Sequence, residues 1–105
     1  MIETAQIEEA AQVLREAAPG ATVILIGSYA RGDARSDSDV DFLVVMPQVR
    51  NRYAEMVRLT ESLRSLHLPV DVVVLSRERF EYWRKTPNTL ANRAIKEGKI
   101  YGQVA

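Results

Sequence analysis

The chain has 105 residues, room for one domain around one core, and its 47% apolar and 27% charged content is that of a globular protein. A formal net charge of zero argues against a strongly basic surface, so nucleic acid is not an expected partner. With no cysteine there is no disulfide, thiolate nucleophile, iron–sulfur cluster or cysteine zinc site. No leader-like start and no apolar run of the roughly 18 residues that span a membrane is read either, so a cytoplasmic location is expected.

In chain order, residues 3–18 predict a helix, because Ile7, Ala11, Leu14 and Ala18 form one apolar stripe that Pro19-Gly20 ends. Thr22 to Ile26 is a short β-branched run that reads as a buried strand. Tyr29 to Ser38 is small and polar, a turn with room for one helical turn after Ser28. Val40 to Met46 is a second strand, closed by Pro47. Asn51 to Leu66 is a second long helix, with Tyr53, Met56, Thr60 and Leu63 on one side and Leu59 and Leu66 nearby. Val70 to Leu75 reads as a third, buried strand. Ser76 caps a short helix through Trp83. A last helix carries Leu90, Ala91, Ala94 and Ile95 on one face and ends at Gly98 as its C′ residue; Ile100-Tyr101 is a final extended segment. The helix between strands two and three predicts a parallel crossover, while the direction of strand one against strand two stays open. The class is α/β or α+β, with a small mixed sheet and flanking helices.

The chemistry concentrates in a few residues. Asp39 and Asp41 stand at i and i+2, on one face of a strand, with Val40, Phe42 and Val44 on the other. Two carboxylates so close repel one another, and a cation between them removes the repulsion; oxygen ligands on a rigid strand suit Mg²⁺ or Mn²⁺. Asp71 lies in an otherwise apolar strand, where an acid is costly unless paired or metal-bound. If that strand lies beside the second, three carboxylates converge and can hold two metal ions for a phosphoryl displacement. Gly27-Ser28 ends a buried strand: the glycine permits close backbone approach, and the serine hydroxyl with the N–H groups after it can receive phosphate oxygens. A Walker A reading fails because Asp33-Ala34 stands where Lys-Ser/Thr is required. An EF-hand reading from Asp37 fails at Phe42 and Gln48.

Gly27-Ser28, ten residues, then Asp39-Val40-Asp41 resembles the GS-x10-DxD signature of the nucleotidyltransferase superfamily related to DNA polymerase β. The longer string from Gly27 to Ala34 with Ser38-Asp39-Val40-Asp41 is similar to its minimal nucleotidyltransferase branch, over essentially the whole chain, residues 1–105, read as a single domain. The resemblance implies the polymerase β-like fold and ATP or another nucleoside triphosphate as substrate. It further implies phosphate contacts from Gly27 and Ser28, metal ligation by Asp39 and Asp41, and a third carboxylate in Asp71 that helps activate the acceptor hydroxyl. Arg31 matches the family's arginine, for phosphate contact or loop support. Small members of the branch are commonly encoded beside HEPN-domain proteins, act as antitoxins, and in some cases transfer AMP to a tyrosine of the HEPN toxin. That partner is the expected acceptor here, since no second domain is read that could hold one.

Other residues read more plainly. Asp33 and Asp37 are solvated turn acids, and Arg35 offsets some of the charge of a segment with two arginines against four aspartates, net −2, from Arg31 to Asp41. His67, the only histidine, follows a helix, so histidine acid–base chemistry is poorly supported. Ser28 reads as a phosphate ligand because no base is evident to make it a nucleophile. Phe80, Tyr82 and Trp83 read first as a core-covering helix with a basic outer face, and second as a partner surface. Two further functions stay open: a non-catalytic nucleotide-binding antitoxin that neutralises its partner by contact, and transfer to a small hydroxylated molecule in a pocket built by a homo-oligomer.

Overall fold

The structure is a computed structural model, and it describes residues 1–101. Helix α1 (Thr4–Ala17) starts with a capping box, in which the Glu3 N–H donates to Gln6 Oε1 at 2.9 Å, and buries Ile7, Ala10, Ala11 and Leu14. Strand β1 (Thr22–Ile26) leads into one turn of helix, α2 (Ser28–Arg31), and β2 (Val40–Met46) follows. Helix α3 (Arg52–Ser62) is capped by Asn51, whose side chain accepts from the Ala54 N–H. It ends earlier than the periodicity suggests. A 3-10 turn (Arg64–Leu66) tightens it, and His67, at φ 54°, closes it in the left-handed conformation. Strand β3 (Val70–Ser76) then runs into α4 (Arg77–Trp83), which Ser76 caps as expected. Helix α5 (Leu90–Glu97), capped by Thr89, and β4 (Lys99–Tyr101) complete the described chain.

The four strands form one mixed sheet in the order β3-β2-β1-β4. The parallel pairing of β2 with β3 through α3 is as expected. The direction left open resolves as antiparallel: β1 pairs Ile26 with Asp41 and Thr22 with Val45. The single turn of α2 cannot supply the longer crossover a parallel pair needs. Both faces are covered. Val23, Leu25, Val40, Phe42, Val44, Val72 and Val74 pack under α1 and α3, while Ile24, Ile26, Leu43 and Val45 pack under α4 and α5 through Phe80, Ala91 and Ala94. This two-sided cover is why β1 and β2 read as unbroken apolar runs. No helix among the described residues is long and apolar enough to cross a membrane.

Three expectations change. Strand β3 is an edge strand, so Asp71 is exposed rather than set in a buried strand. Tyr53 and Ile95, expected on buried apolar stripes, are 76% and 44% exposed. Gly98 is extended (φ −74°, ψ 160°) rather than left-handed, and what requires glycine there is space. An added Cβ would collide with the Ala94 carbonyl and with Ile24 Cγ2. Gly98→Ala is therefore expected to lower stability by about 1–3 kcal/mol, read as a shifted urea midpoint with an unchanged slope.

Candidate active site

The site forms where β1 and β2 run out at one end of the sheet. Asp41 is the second residue of β2 and is flanked on both sides: antiparallel β1 places Ile26 opposite it, and parallel β3 places Asp71 opposite it. Alternation puts Asp41 on the α4/α5 face with Leu43 and Val45, so the apolar packing of that face holds its backbone in place. Asp41 is half-buried, whereas Asp71 and Asp39 are exposed. Asp39 lies just before β2 begins. Among the described residues no three acidic or histidine side chains are drawn close enough together to hold a metal ion as they stand. The paired unit is Asp41 with Asp71, which lie within hydrogen-bonding reach of each other, and Asp39 adds its charge from beside them.

Electrostatics show the cost. Burial raises the Asp41 pKa above the ordinary carboxylate range, and the charges of Asp71 and then Asp39 raise it further; Arg31 counters only weakly. A carboxylate held against two like charges at the end of a rigid strand is a hard oxygen donor that suits a divalent cation such as Mg²⁺.

Gly27 follows β1 directly and sits at φ 76°, ψ −157°, a conformation essentially reserved for glycine. An added Cβ would meet the Asp41 carboxylate. The backbone turn is thus pressed against the acid. The Ala30 and Arg31 N–H groups return to the Gly27 carbonyl, while those of Ser28 and Tyr29, the first in α2, have no acceptor within the helix. The Tyr29 hydroxyl accepts the Ile2 N–H at 3.2 Å and ties the loop to the start of the chain. Arg31 is occupied: its Nε meets Asp33 Oδ2 at 3.3 Å and its guanidinium reaches Glu97 Oε2 at 3.5 Å. Asp33 thus has a specific partner besides solvent, while Asp37 is exposed.

Two cavities share Asp41. One, of about 440 Å³, is lined by Gly27, Ser28, Arg31, Val73, Leu90, Arg93 and Glu97 as well as Ile26 and Asp41. The other, of about 670 Å³, runs from Asp41 and Asp71 along β3 to Tyr53, Met56, Val57 and Thr60 of α3. Both have the size of ligand pockets. Gly27, Ser28, Arg31 and Asp41 are therefore brought together on one cavity, and Asp41 and Asp71 on the other; Asp39 lines neither. Arg93 and Leu90 were not legible beforehand. They stand far along the chain from Gly27-Ser28, and only the packing of α5 beside β1 brings them to that cavity.

The profile of the nucleotidyltransferase domain family matches residues 7–101. The chain belongs to this family. Solved structures of similar fold include a toxin–antitoxin complex with AMP-PNP, at 21% identity over 92% of this chain and 72% of that one, with a TM-score of 0.65. A Sulfolobus solfataricus protein provisionally named a nucleotidyltransferase is 22% identical over 95% of this chain and 79% of its own, with a TM-score of 0.65. A Shewanella oneidensis complex of a tri-AMPylated HEPN toxin with its MNT antitoxin matches at 20% identity, over 96% of this chain and 72% of that one, with a TM-score of 0.63. No curated protein sequence matches the chain significantly.

Two outcomes follow from this geometry. Gly27→Ala is expected to cost about 1–3 kcal/mol, because the alanine strains the backbone and displaces Asp41. The measurement is a lowered urea midpoint. Asp41→Asn should stabilise the protein in EDTA at neutral pH. The folded state raises the Asp41 pKa, so it binds that proton more tightly than the unfolded chain does. The penalty is absent in acid and grows as pH rises through the carboxylate range. Urea titrations of both proteins should therefore converge at low pH and separate towards neutrality; separation in the opposite direction would refute the assignment.

Proposed function

We propose that residues 1–105 act as a single minimal nucleotidyltransferase domain, which transfers AMP from ATP to a hydroxyl of a partner protein, a tyrosine of a HEPN toxin, and so serves as its antitoxin. The observation that carries this is the sharing of Asp41 by two cavities, one walled by the glycine–serine turn and two arginines, the other by Asp71 and an open strand edge. An in-line displacement needs the attacking oxygen and the leaving group on opposite sides of the reacting phosphorus, and two cavities that meet at Asp41 offer a separate place for the triphosphate and for the acceptor. Support for the acceptor comes from the similar fold of the complex containing a tri-AMPylated HEPN toxin, and for ATP from the similar fold of the complex with AMP-PNP.

In this reading the Ser28 hydroxyl and the free N–H groups of Ser28 and Tyr29 receive phosphate oxygens, with Gly27 allowing the backbone to come close. Arg93 meets the triphosphate from α5, and Arg31, held by Asp33 and Glu97, keeps the loop in place while adding positive charge. Asp39, Asp41 and Asp71 would hold Mg²⁺ or Mn²⁺, two ions with the triphosphate bound. When bound, the metal neutralises charge on the α-phosphate and on the leaving group. Asp71, which lines the acceptor-side cavity where Asp39 does not, takes the proton of the hydroxyl. The acceptor oxygen forms its bond to the α-phosphorus as the α–β anhydride bond breaks, and pyrophosphate leaves. Positioning and charge neutralisation supply most of the acceleration.

One observation favours a second reading, a nucleotide-binding antitoxin without turnover: no three carboxylates are drawn together among the described residues. Labelled ATP separates the two. With α-³²P-ATP, Mg²⁺ and the co-encoded partner, wild type is expected to label the partner and Asp39→Ala/Asp41→Ala is not. Absence of label from a sample that binds both partner and nucleotide would leave the non-catalytic reading. Arg93→Ala is expected to raise the KM for ATP by about tenfold with a smaller effect on kcat, as removal of a charge-assisted phosphate contact does.

A further inference from the structure

The cavity on the acceptor side has an unusual wall, the free edge of β3. The Pro69 carbonyl accepts from the Val40 N–H at 2.9 Å, so its peptide group faces β2. Strand alternation then turns the groups of Asp71 and Val73 towards β2, and those of Val70, Val72 and Val74 outward. Arg52 independently confirms the phase, since its Nε donates to the outward carbonyl of Val74 at 2.6 Å. That bond caps the far end of the edge. Among the described residues, no strand lies beside the outward groups of Val70 and Val72, on either side of Asp71. An uncovered edge of this kind is a template for another strand.

We propose that this edge is the acceptor-docking rail: an extended segment of the partner polypeptide pairs with Val70 and Val72 and presents a hydroxyl side chain to Asp41 and Asp71. The proposal rests on the transferase reading above and specifies the form its acceptor takes. Side chains of a paired segment alternate between the two faces of the sheet. The residue opposite Asp71 stands on the face that carries both carboxylates. Its two neighbours point to the other face, where Tyr53 and Val57 of α3 lie 76% and 44% exposed and supply an apolar wall. Charge selects the occupant further. The cavity's charged lining residues are Asp41, Asp71 and Glu61, and none is basic; Glu61 already pairs with Arg64 at 2.6 Å. The segment that complements it has apolar residues flanking a central hydroxyl residue and a basic residue nearby. An acidic segment would be repelled.

Backbone amide NMR of the full chain tests this. The probes are short synthetic peptides with a central tyrosine, valines on both sides of it and a terminal arginine, each compared with a copy N-methylated on the edge that would face β3. Binding is expected to shift the amides of Val70 and Val72 and those of Tyr53 and Val57. N-methylation should weaken it about tenfold, because the paired backbone donors are lost. Val57→Glu should also weaken it by about tenfold, by placing a charge in the apolar wall. A parallel titration with AMP-PNP and Mg²⁺ reads Gly27, Ser28 and Arg93. No response at Val70 and Val72 to any peptide, or a response indifferent to N-methylation, overturns the docking rail. If AMP-PNP still shifts its own set, the nucleotide site stands without it, and a peptide response without an AMP-PNP response faults the transferase reading instead.

Discussion

Two carboxylates in register across a parallel strand pair are the constraint around which this molecule is arranged. Asp41 and Asp71 face each other because β2 and β3 pair residue for residue, and burial of Asp41 sharpens their repulsion. Nothing in the apolar core requires an acid at either position. The strand continues as Phe42-Leu43-Val44-Val45 with both faces buried, so the backbone that carries Asp41 cannot move away from its neighbour. Packing of the strand thus holds like charges together at this end of the sheet.

The surroundings follow from that pair. Gly27 must be glycine for two separate reasons, its backbone angles and the carboxylate where a Cβ would stand. The turn it begins leads into a single helical turn whose first N–H groups are free, and Tyr29 pins that turn to the start of the chain. Arg31 links the same turn to the end of α5 through Glu97, across the cavity where Arg93 stands. Helix α5 and the first residues of the chain thus both act directly on the loop.

The helices divide the work by face. On one side α1 and α3 cover the broad apolar layer that includes Phe42 and Val74. On the other α4 and α5 cover a smaller layer through Phe80, Ala91 and Ala94. Phe80 is buried as a core-covering residue should be, yet Tyr82 is 72% exposed, so the aromatic cluster of α4 is half core and half surface. Tyr82 and Trp83 meet edge to face at 4.9 Å, which shields part of their apolar area from water without burying them in the core.

Local pattern determined a good deal of this. The bounds of β1 and β2, the serine cap of α4 and the crossover between β2 and β3 were all legible, because each depends on residues close in sequence: β-branched runs, a capping hydroxyl, a helix between two strands. The spacing of Gly27-Ser28 to Asp39-Val40-Asp41 was legible for the same reason, and the family it pointed to is the one whose profile matches residues 7–101. What depended on sheet order was not. Val70 to Leu75 is as apolar as a central strand, and nothing local reveals that it lies at the edge and leaves Asp71 exposed. The same holds for Tyr53, which sits on the apolar stripe of α3 beyond the point where the core ends, and in part for Gly98, where Ile24 of β1 adds to the local clash with the Ala94 carbonyl. Arg93 reaches the glycine–serine turn only through packing of α5 on the sheet. A sequence records which residues can do chemistry; long-range pairing, which has no local signature, decides which of them share a cavity.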